Sequence, residues 1–394
     1  MSDPRYTPLR DRHEALGASF TDFGGWQMPV RYTSDLAEHH AVRQAAGLFD
    51  ISHMAEFLVT GDFAGEFLDY ALAGRLSAMT VGKAKYSLVL AEDGGIVDDV
   101  IVYRLAEDRY LVIANAGNRG FVDAAFASRV RSFPSKIERD RPELAGGAER
   151  SFEGFLGDRG VDVEDVSDEY ALLAVQGPTA EAIVSSTAGI TDLGTPWAEQ
   201  KYYAWADALF TGSPLLLART GYTGEDGFEL LVKAADAPAL WDALLDAGQA
   251  HGLVPAGLAA RDTLRLEAGM PLYGHELSRD IKPSQAGLGR VVVADKEAFI
   301  GKGAVDAAAD APVLVGLVAE GKRAGRAGYS VVDEDGAVLG EITSGALSPT
   351  LGHPIAMAYV APSSAAVGTA VFLDVRGTRI PATVTALPFY RRTK

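Results

Sequence analysis

The segment from residue 91 to residue 105 joins two strand-like stretches through a tight turn, and its second stretch carries two adjacent acids inside an apolar run. Positions 93–95 read Asp-Gly-Gly, which is typical of a hairpin turn because glycine adopts positive φ without steric cost. The residues on both sides are rich in β-branched and aromatic side chains, which predicts a β-hairpin. Any fold built on this hairpin has to accommodate the carboxyl groups of Asp98 and Asp99.

Asp98 and Asp99 are expected to point to opposite faces of their strand, because side chains alternate along a strand. Simple alternation puts Val100 on the face of Asp98 and Val97 on the face of Asp99. If both faces are covered, at least one carboxylate lies in an apolar setting, which is costly unless the group is partnered. Such a carboxylate is a candidate functional group. The alternative is an acid that meets solvent at the strand's edge, and the pattern alone leaves both open.

The chain has 394 residues, which is too long for one simple core and predicts two or three domains. It contains no cysteine, which excludes disulfides, thiolate metal sites and cysteine nucleophiles and is typical of a reducing cytosol. The first thirty residues lack the apolar core of a signal peptide, and no apolar run approaches the ~18 residues of a membrane span. We therefore expect a cytoplasmic protein that does not enter the membrane.

The net charge of −17 argues against two classes of partner. Such a field repels phosphate backbones and anionic lipid, so neither nucleic acid nor a membrane surface is expected to bind. No nucleotide-binding motif is present: there is no P-loop, and residues 257–269 lack the G-x-G-x-x-G spacing after a strand. His39 and His40 diverge by ~100° on a helix and cannot share one ion. We expect neither a metal nor a nucleotide.

Local patterns predict an α+β fold. Ser34 has the chemistry of a helix N-cap, and that helix is expected to run to about Ala46. Residues 133–168 are charged and glycine-rich, which indicates a surface excursion. Beyond residue 312 the composition favours a barrel or sandwich. Its predicted strands are 313–319, 329–333, 337–343, 355–361, 369–375 and 379–385.

Two more places offer charged groups for a ligand. Glu229 lies in a strand-like segment and has two acceptor oxygens for the paired N–H donors of a heterocycle. Its alternative, a solvent-facing acid, is favoured by sequence alone. Arg261 and Arg265 stack at i and i+4 on a predicted helix and repel unless an anion joins them. Asp262 and Glu267 are one source of that anion, and a bound ligand is the other.

Several motifs, taken together and in order, resemble one family over nearly the whole chain. They include Glu-His-His-Ala-Val-Arg at 38–43, Phe-Asp-Ile-Ser-His-Met at 49–54 and Gly-Gly-Ile-Val-Asp-Asp at 94–99, with further matches at 22–26, 219–229, 257–270 and 342–352. The chain resembles the aminomethyltransferases, the T-proteins of the glycine cleavage system.

The resemblance implies a three-domain cloverleaf with mixed α/β N-terminal and middle domains and a β-rich C-terminal barrel around a central folate channel. We expect a discontinuous first domain at 1–54 and 170–250. A second α+β domain is expected at 55–132 and 251–300. The remaining segments are a surface insertion at 133–169 and the barrel domain at 312–394.

The resemblance also implies an enzyme that uses tetrahydrofolate as co-substrate. It would take the aminomethyl carbon from the lipoyl arm of the glycine cleavage H-protein, form 5,10-methylenetetrahydrofolate and release ammonia. Asp99 matches the catalytic aspartate, which would position and polarise folate N5 and stabilise iminium character at the methylene. The positions that match folate-binding residues are Met54, Tyr86, Tyr103, Asn115, Tyr222, Glu229, Arg261 and Arg391.

The sequence leaves two alternatives, and the first of them is also an enzyme. One is a different folate-dependent one-carbon transferase or demethylase on the same fold, acting on a small methylated substrate. The other is a folate-binding accessory protein without catalysis, like relatives in iron–sulfur assembly. Those relatives carry a cysteine-containing signature, and this sequence has no cysteine.

Overall fold

The structure is a computed structural model that describes residues 4–134 and 160–392. The chain divides into two compact units. Unit 1 consists of Met1–His53, Glu169–Gly289 and Asp306–Lys394, and unit 2 consists of Met54–Asp168 and Arg290–Val305. The predicted four-segment domain organisation divides the chain differently, since it joins residues 251–289 to the second domain and they lie in unit 1; it stays a prediction.

The elements of the described residues are numbered here in chain order. The α-helices are α1 Arg10–Ala15, α2 Asp35–Gln44, α3 Ala64–Ala71, α4 Arg119–Ser132, α5 Ala180–Ser186, α6 Ala237–Gly248 and α7 Leu258–Glu267. The strands before residue 180 are β1 Ser19–Phe23, β2 Trp26–Arg31, β3 Ala46–Asp50, β4 Ala55–Thr60, β5 Ala84–Leu90, β6 Ile96–Ala106, β7 Arg109–Ala114, β8 Asp162–Asp165 and β9 Tyr170–Gln176. The later strands are β10 Ile190–Thr191, β11 Trp205–Phe210, β12 Ser213–Ala218, β13 Gly227–Lys233, β14 Leu253–Pro255, β15 Val313–Ala319, β16 Ser330–Val332, β17 Val338–Leu347, β18 Pro354–Val360, β19 Ala370–Val375 and β20 Thr378–Thr385.

Unit 1 contains a seven-stranded sheet in the order β10-β11-β12-β13-β9-β3-β14. Only β14 runs parallel to its neighbour in the sheet, and the other pairs are antiparallel. Helix α6 places Leu240, Trp241 and Leu244, all fully buried, in one core cluster with Leu173 and Leu230 of the sheet. The sheet therefore gives β13, the strand that carries Glu229, a rigid support.

The C-terminal part of unit 1 is a closed barrel in the order β15-β18-β17-β16-β19-β20. Alternate residues such as Leu317, Ile342 and Leu373 fill its interior. Closure leaves no unpaired edge, which explains how six short strands form a stable body. The predicted α+β fold class with a C-terminal β-barrel is confirmed.

Unit 2 is built on an antiparallel five-stranded sheet in the order β5-β6-β7-β4-β8. One face of this sheet packs with α3 and α4, and Phe57, Phe67 and Phe126 meet in its core. The predicted hairpin is present as β5 and β6. Its turn requires glycine, since Gly94 has φ of +81° and an added Cβ would lie 2.0 Å from the carbonyl oxygen of Ala304.

The hairpin differs from simple alternation at one residue. Leu90 pairs with Ile96 and Val89 pairs with Asp98, so Val97 is an extra residue in β6 and forms a β-bulge. Val97 lies in the same core cluster as Val100. The prediction that Val97 shares the face of Asp99 is therefore wrong, because the bulge interrupts the alternation.

The predicted insertion at 133–169 lies mostly outside the described residues. Of its described residues, 133–134 and 160–168 belong to unit 2: Phe133 packs on Phe67 with ring centroids 5.6 Å apart, and β8 pairs with β4 as an edge strand. No helix in the described ranges is long and apolar enough to cross a membrane.

Candidate active site

Asp98 is a fully buried carboxylate on β6 whose two oxygens are both hydrogen-bonded. The backbone N–H of Asn115 donates to Oδ2 at 2.9 Å. The side-chain amides of Asn115 and Asn118 both donate to Oδ1, at 2.8 and 2.7 Å. The three N–H groups provide the compensation that a buried carboxylate needs.

Asp99 is half-buried and is held by different groups. The hydroxyl of Tyr86 donates to Oδ2 at 3.1 Å, and Nδ2 of Asn115 donates to Oδ1 at 2.9 Å. The same Nδ2 also approaches the backbone carbonyl of Asp99 at 3.2 Å. One asparagine side chain thus links the two adjacent acids.

Strand register explains why these residues meet. Ile101 of β6 pairs with Ile113 of β7, and continuing this antiparallel register brings residue 115 opposite Asp99. Tyr86 of β5 pairs with Ile101, which places it diagonally next to Asp99 on the same face. The site is therefore built by three neighbouring strands of one sheet.

The electrostatics of the acid pair follow from its burial. Burial, and after it the charge of Asp99, raises the pKa of Asp98 to about 7, whereas its N–H donors favour the ionised form. Burial also raises the pKa of Asp99, against the hydrogen bonds from Tyr86 and Asn115. The pair therefore holds or releases a proton closer to neutral pH than ordinary aspartates do.

Unit 1 contains a second group of predicted site residues. Glu229 on β13 is 7% exposed and accepts a hydrogen bond from the Thr220 hydroxyl. The guanidinium of Arg261, on α7, lies 4.9 Å from the ring centroid of Tyr222, whose hydroxyl donates to the carbonyl of Pro271. Glu229 is buried, so the solvent-facing alternative is wrong for this acid.

Arg261 has a property that distinguishes it from the other buried arginines. Its Nη1 atom is buried and has no hydrogen-bond partner among residues 4–134 and 160–392. Burial lowers its pKa, and the charges of Glu229 and then Tyr222 oppose that effect. A buried, unsatisfied guanidinium nitrogen is costly unless a ligand oxygen accepts from it.

Arg265, one helical turn further, is fully paired within unit 1. Its guanidinium lies 2.7 Å from Asp262 and 3.0 Å from Glu276. Of the two acids offered by the sequence, Asp262 therefore neutralises Arg265. Glu267 does not: its carboxylate binds Arg43.

The remaining predicted folate-binding residues are Met54, Tyr103 and Arg391. Met54 is half-buried directly before β4, and Tyr103 is 3% exposed on β6, opposite Ala84 of β5. Arg391 is exposed beyond the barrel, whereas its neighbour Arg392 pairs with Asp226 at 3.2 Å. The structure brings together Asp99, Tyr86 and Asn115 in unit 2, and Glu229, Arg261 and Tyr222 in unit 1.

Sequence reasoning missed three residues of these clusters as site residues. The sequence indicates Asp98 as a candidate acid without a role, and its patterns do not indicate Asn118 or Thr220. The available signal for Asn118 was its short distance in sequence from Asn115, in the turn after β7. In the part of the chain that the structure describes, no group of three His, Cys, Asp or Glu side chains is placed to hold a metal ion.

Models of known protein families match both the N-terminal and the C-terminal part of the chain. A family model described as the GCVT N-terminal domain matches residues 9–296, and one described as the glycine cleavage T-protein C-terminal barrel domain matches residues 313–391. Two similar curated proteins are named aminomethyltransferase, from Saccharopolyspora erythraea and Cutibacterium acnes. Each is 54% identical, with 100% of both chains covered. A crystal structure of glycine cleavage system aminomethyltransferase T from Bartonella henselae has a TM-score of 0.83 at 35% identity, with 99% of each chain covered.

Proposed function

This chain belongs to the aminomethyltransferase family, the T-proteins of the glycine cleavage system, and on that premise we propose its reaction in full. We propose that it transfers the aminomethyl carbon from the lipoyl arm of the H-protein to tetrahydrofolate. The products are 5,10-methylenetetrahydrofolate, ammonia and the dihydrolipoyl H-protein. The cysteine-free sequence supports a cytoplasmic location for this reaction.

The observation that carries the proposal is the pair of acids joined by Asn115. Asp99 is half-buried and fixed by two donors, which place its carboxylate to stabilise a developing positive charge. We assign it the role of positioning and polarising the folate nitrogen and stabilising positive charge at the methylene carbon.

Glu229, Arg261 and Tyr222 of unit 1 carry chemical groups that are suited to binding a folate. Tetrahydrofolate, when bound, supplies the nitrogen that accepts the one-carbon unit. The Glu229 carboxylate offers acceptor oxygens to N–H donors of the pterin edge. The unsatisfied Nη1 of Arg261 donates to a ligand oxygen, and the Tyr222 ring beside it restricts the guanidinium. We assign Met54, Tyr86, Tyr103, Asn115 and Arg391 to the folate-binding set as well.

The test is release of ammonia by the full-length protein from aminomethylated, lipoylated H-protein in the presence of tetrahydrofolate. We expect release that stops when folate is omitted or when the H-protein lacks its lipoyl group. If the protein instead shows no turnover here but demethylates a small methylated amine, the alternative one-carbon transferase replaces the proposal.

A further inference from the structure

We infer that Asp98 is a positioning residue for the reaction, and that it acts through Asn115 by fixing the amide that binds Asp99. This inference rests on the proposed function, because it concerns the same site. Asp98 has 0% of its surface exposed, so it is not available to touch a substrate. Any effect it has on chemistry therefore passes through the residues that bind it or through its charge beside Asp99, and the hydrogen bonds of Asn115 are the inferred route.

The hydrogen bonds of Asn115 show how that effect is transmitted. Asp98 accepts both the backbone N–H and the side-chain Nδ2 of Asn115, so one carboxylate holds this residue at two points. The amide has two hydrogens, and the other contacts of Nδ2 are both to Asp99, at 2.9 Å from Oδ1 and 3.2 Å from the backbone carbonyl oxygen. A flipped amide would put its oxygen against two carboxylate oxygens. The carboxylate of Asp98 therefore decides that Asn115 presents a donor, not an acceptor, to Asp99.

Asn118 reinforces the same arrangement from the following turn. Its Nδ2 donates to Oδ1 of Asp98 at 2.7 Å, next to the Asn115 contact on that oxygen. Asp98 therefore faces amide donors at both oxygens. An amide at position 98 places its NH2 group either against the side-chain amides of Asn115 and Asn118 or against the backbone N–H of Asn115, so in either orientation one of the two bonds that hold Asn115 is lost.

The first experiment is Asp98→Asn, measured by steady-state kinetics with aminomethylated H-protein. Losing one donor to the Asp99 carboxylate is expected to lower kcat about 10- to 100-fold. The KM for tetrahydrofolate is expected to change less than about threefold, because Asp98 does not touch the ligand. If Asp98→Asn gives too little folded protein, Asp98→Ala removes both acceptor oxygens without adding a donor and is measured in its place.

The matched control is Asp69→Asn in the same unit. Asp69 is a half-buried carboxylate that accepts from the backbone N–H groups of Leu76 and Ser77 and from the Ser77 hydroxyl, away from the acid pair. The same chemical exchange there is expected to lower the melting temperature and leave kcat unchanged. An equal loss of kcat in both variants would mean that Asp98 is only structural.

A double-mutant cycle with Asn115→Ala tests whether the effect of Asp98 on kcat is transmitted through Asn115. If Asp98 acts through Asn115, adding Asp98→Asn to Asn115→Ala changes kcat by less than about twofold. Losses that multiply across the cycle would overturn the inference, since Asp98 would then act by another route.

A measurement that does not depend on enzyme activity distinguishes a failure of this inference from a failure of the proposed function. The side-chain amide signals of Asn115 in the full-length protein, assigned by their loss in Asn115→Ala, are recorded by ¹H–¹⁵N NMR. We expect slow exchange with water in the original protein, and a large shift with faster exchange in Asp98→Asn. Unchanged signals would contradict the inference even if ammonia release is normal, whereas a protein without ammonia release but with the expected shift would contradict only the proposed function.

Discussion

Arg43 of α2 and Glu267 of α7 form a buried ion pair, with Nη2 of the arginine 2.8 Å from Oε2 of the glutamate. Their side chains are 5% and 0% exposed. Glu267 also accepts from the backbone N–H of Thr350 at 3.0 Å and lies 3.2 Å from Nε2 of His39. Because α7 also carries Arg261, this network fixes the helix that presents a candidate folate-binding group.

Glu267→Gln is expected to lower the free energy of unfolding by about 3 kcal/mol, because it removes one charge from a buried pair and leaves hydrogen-bond donors without a carboxylate. Urea denaturation at neutral pH measures the difference. Glu14→Gln is the control: it breaks the exposed ion pair with Arg10 and is expected to change stability by less than about 0.5 kcal/mol. Equal effects of the two substitutions would contradict the structural role of Glu267.

The stabilising effect of Glu267 should depend on pH. Hydrogen bonding and the charges of His39 and Arg43 outweigh burial and lower the pKa of Glu267 to about 2, from an ordinary value of 4.5. A carboxyl group with a lowered folded-state pKa stabilises the protein above its unfolded pKa and loses that contribution as the pH falls through the folded one. The stability difference between the original protein and Glu267→Gln is therefore expected to be full at pH 6 and to shrink between about pH 4.5 and 2. A difference that grows on acidification would contradict this.

Much of the local structure was predictable because it depends on neighbouring residues. The helix starting after Ser34 is present, with the Ser34 hydroxyl accepting from the backbone N–H of Ala37. It ends at Gln44, slightly before the predicted end, since Ala46 already begins β3. The strands of the barrel were predictable from the β-rich composition beyond residue 312 and from the close spacing of six short segments.

The pairing of charges was not predictable, because it depends on contacts far apart in sequence. Glu267 was offered as a partner for the nearby arginines of its own helix, yet its carboxylate binds Arg43 of α2. Burial of Asp98 was undecided because alternation alone does not reveal which face is covered, and the bulge at Val97 changes the pattern just before the acids. A single sequence supplies no register between strands, and register is what brings Asn115 to Asp99.

Asp99→Asn is expected to lower turnover about 10²- to 10⁴-fold while the protein folds and binds tetrahydrofolate with little change. The substitution keeps the shape of the side chain but removes the negative charge of the carboxylate. Ammonia release gives the rate, and a folate titration gives the affinity. Normal turnover in this variant would remove Asp99 from the reaction.

The pH profile of the unmodified enzyme gives a second test of Asp99. Burial raises its pKa, so the ionised carboxylate is lost at a higher pH than for an aspartate with the ordinary value of 3.8. We expect kcat/KM to fall on the acid side as the pH drops through that raised pKa, together with the titration of the adjacent Asp98. An acid limb that is the same in Asp98→Asn and in the original protein would show that the two carboxyl groups titrate independently.

Arg261→Ala is expected to weaken tetrahydrofolate binding more than it slows chemistry. The buried Nη1 atom has no partner in the described ranges, so the guanidinium is placed to donate to a ligand, and removing a hydrogen bond from a charged group raises Kd about 10- to 100-fold. At saturating folate, kcat is expected to stay within about threefold of the original value. Arg261→Lys keeps the charge but not the planar fork of donors, so a Kd between those of the original protein and Arg261→Ala is expected.

The control is Arg12→Ala, which breaks an exposed pair with Asp242 and should leave folate binding unchanged. If Arg261→Ala instead lowers kcat strongly and leaves Kd unaltered, the arginine serves the reaction and not the binding of folate.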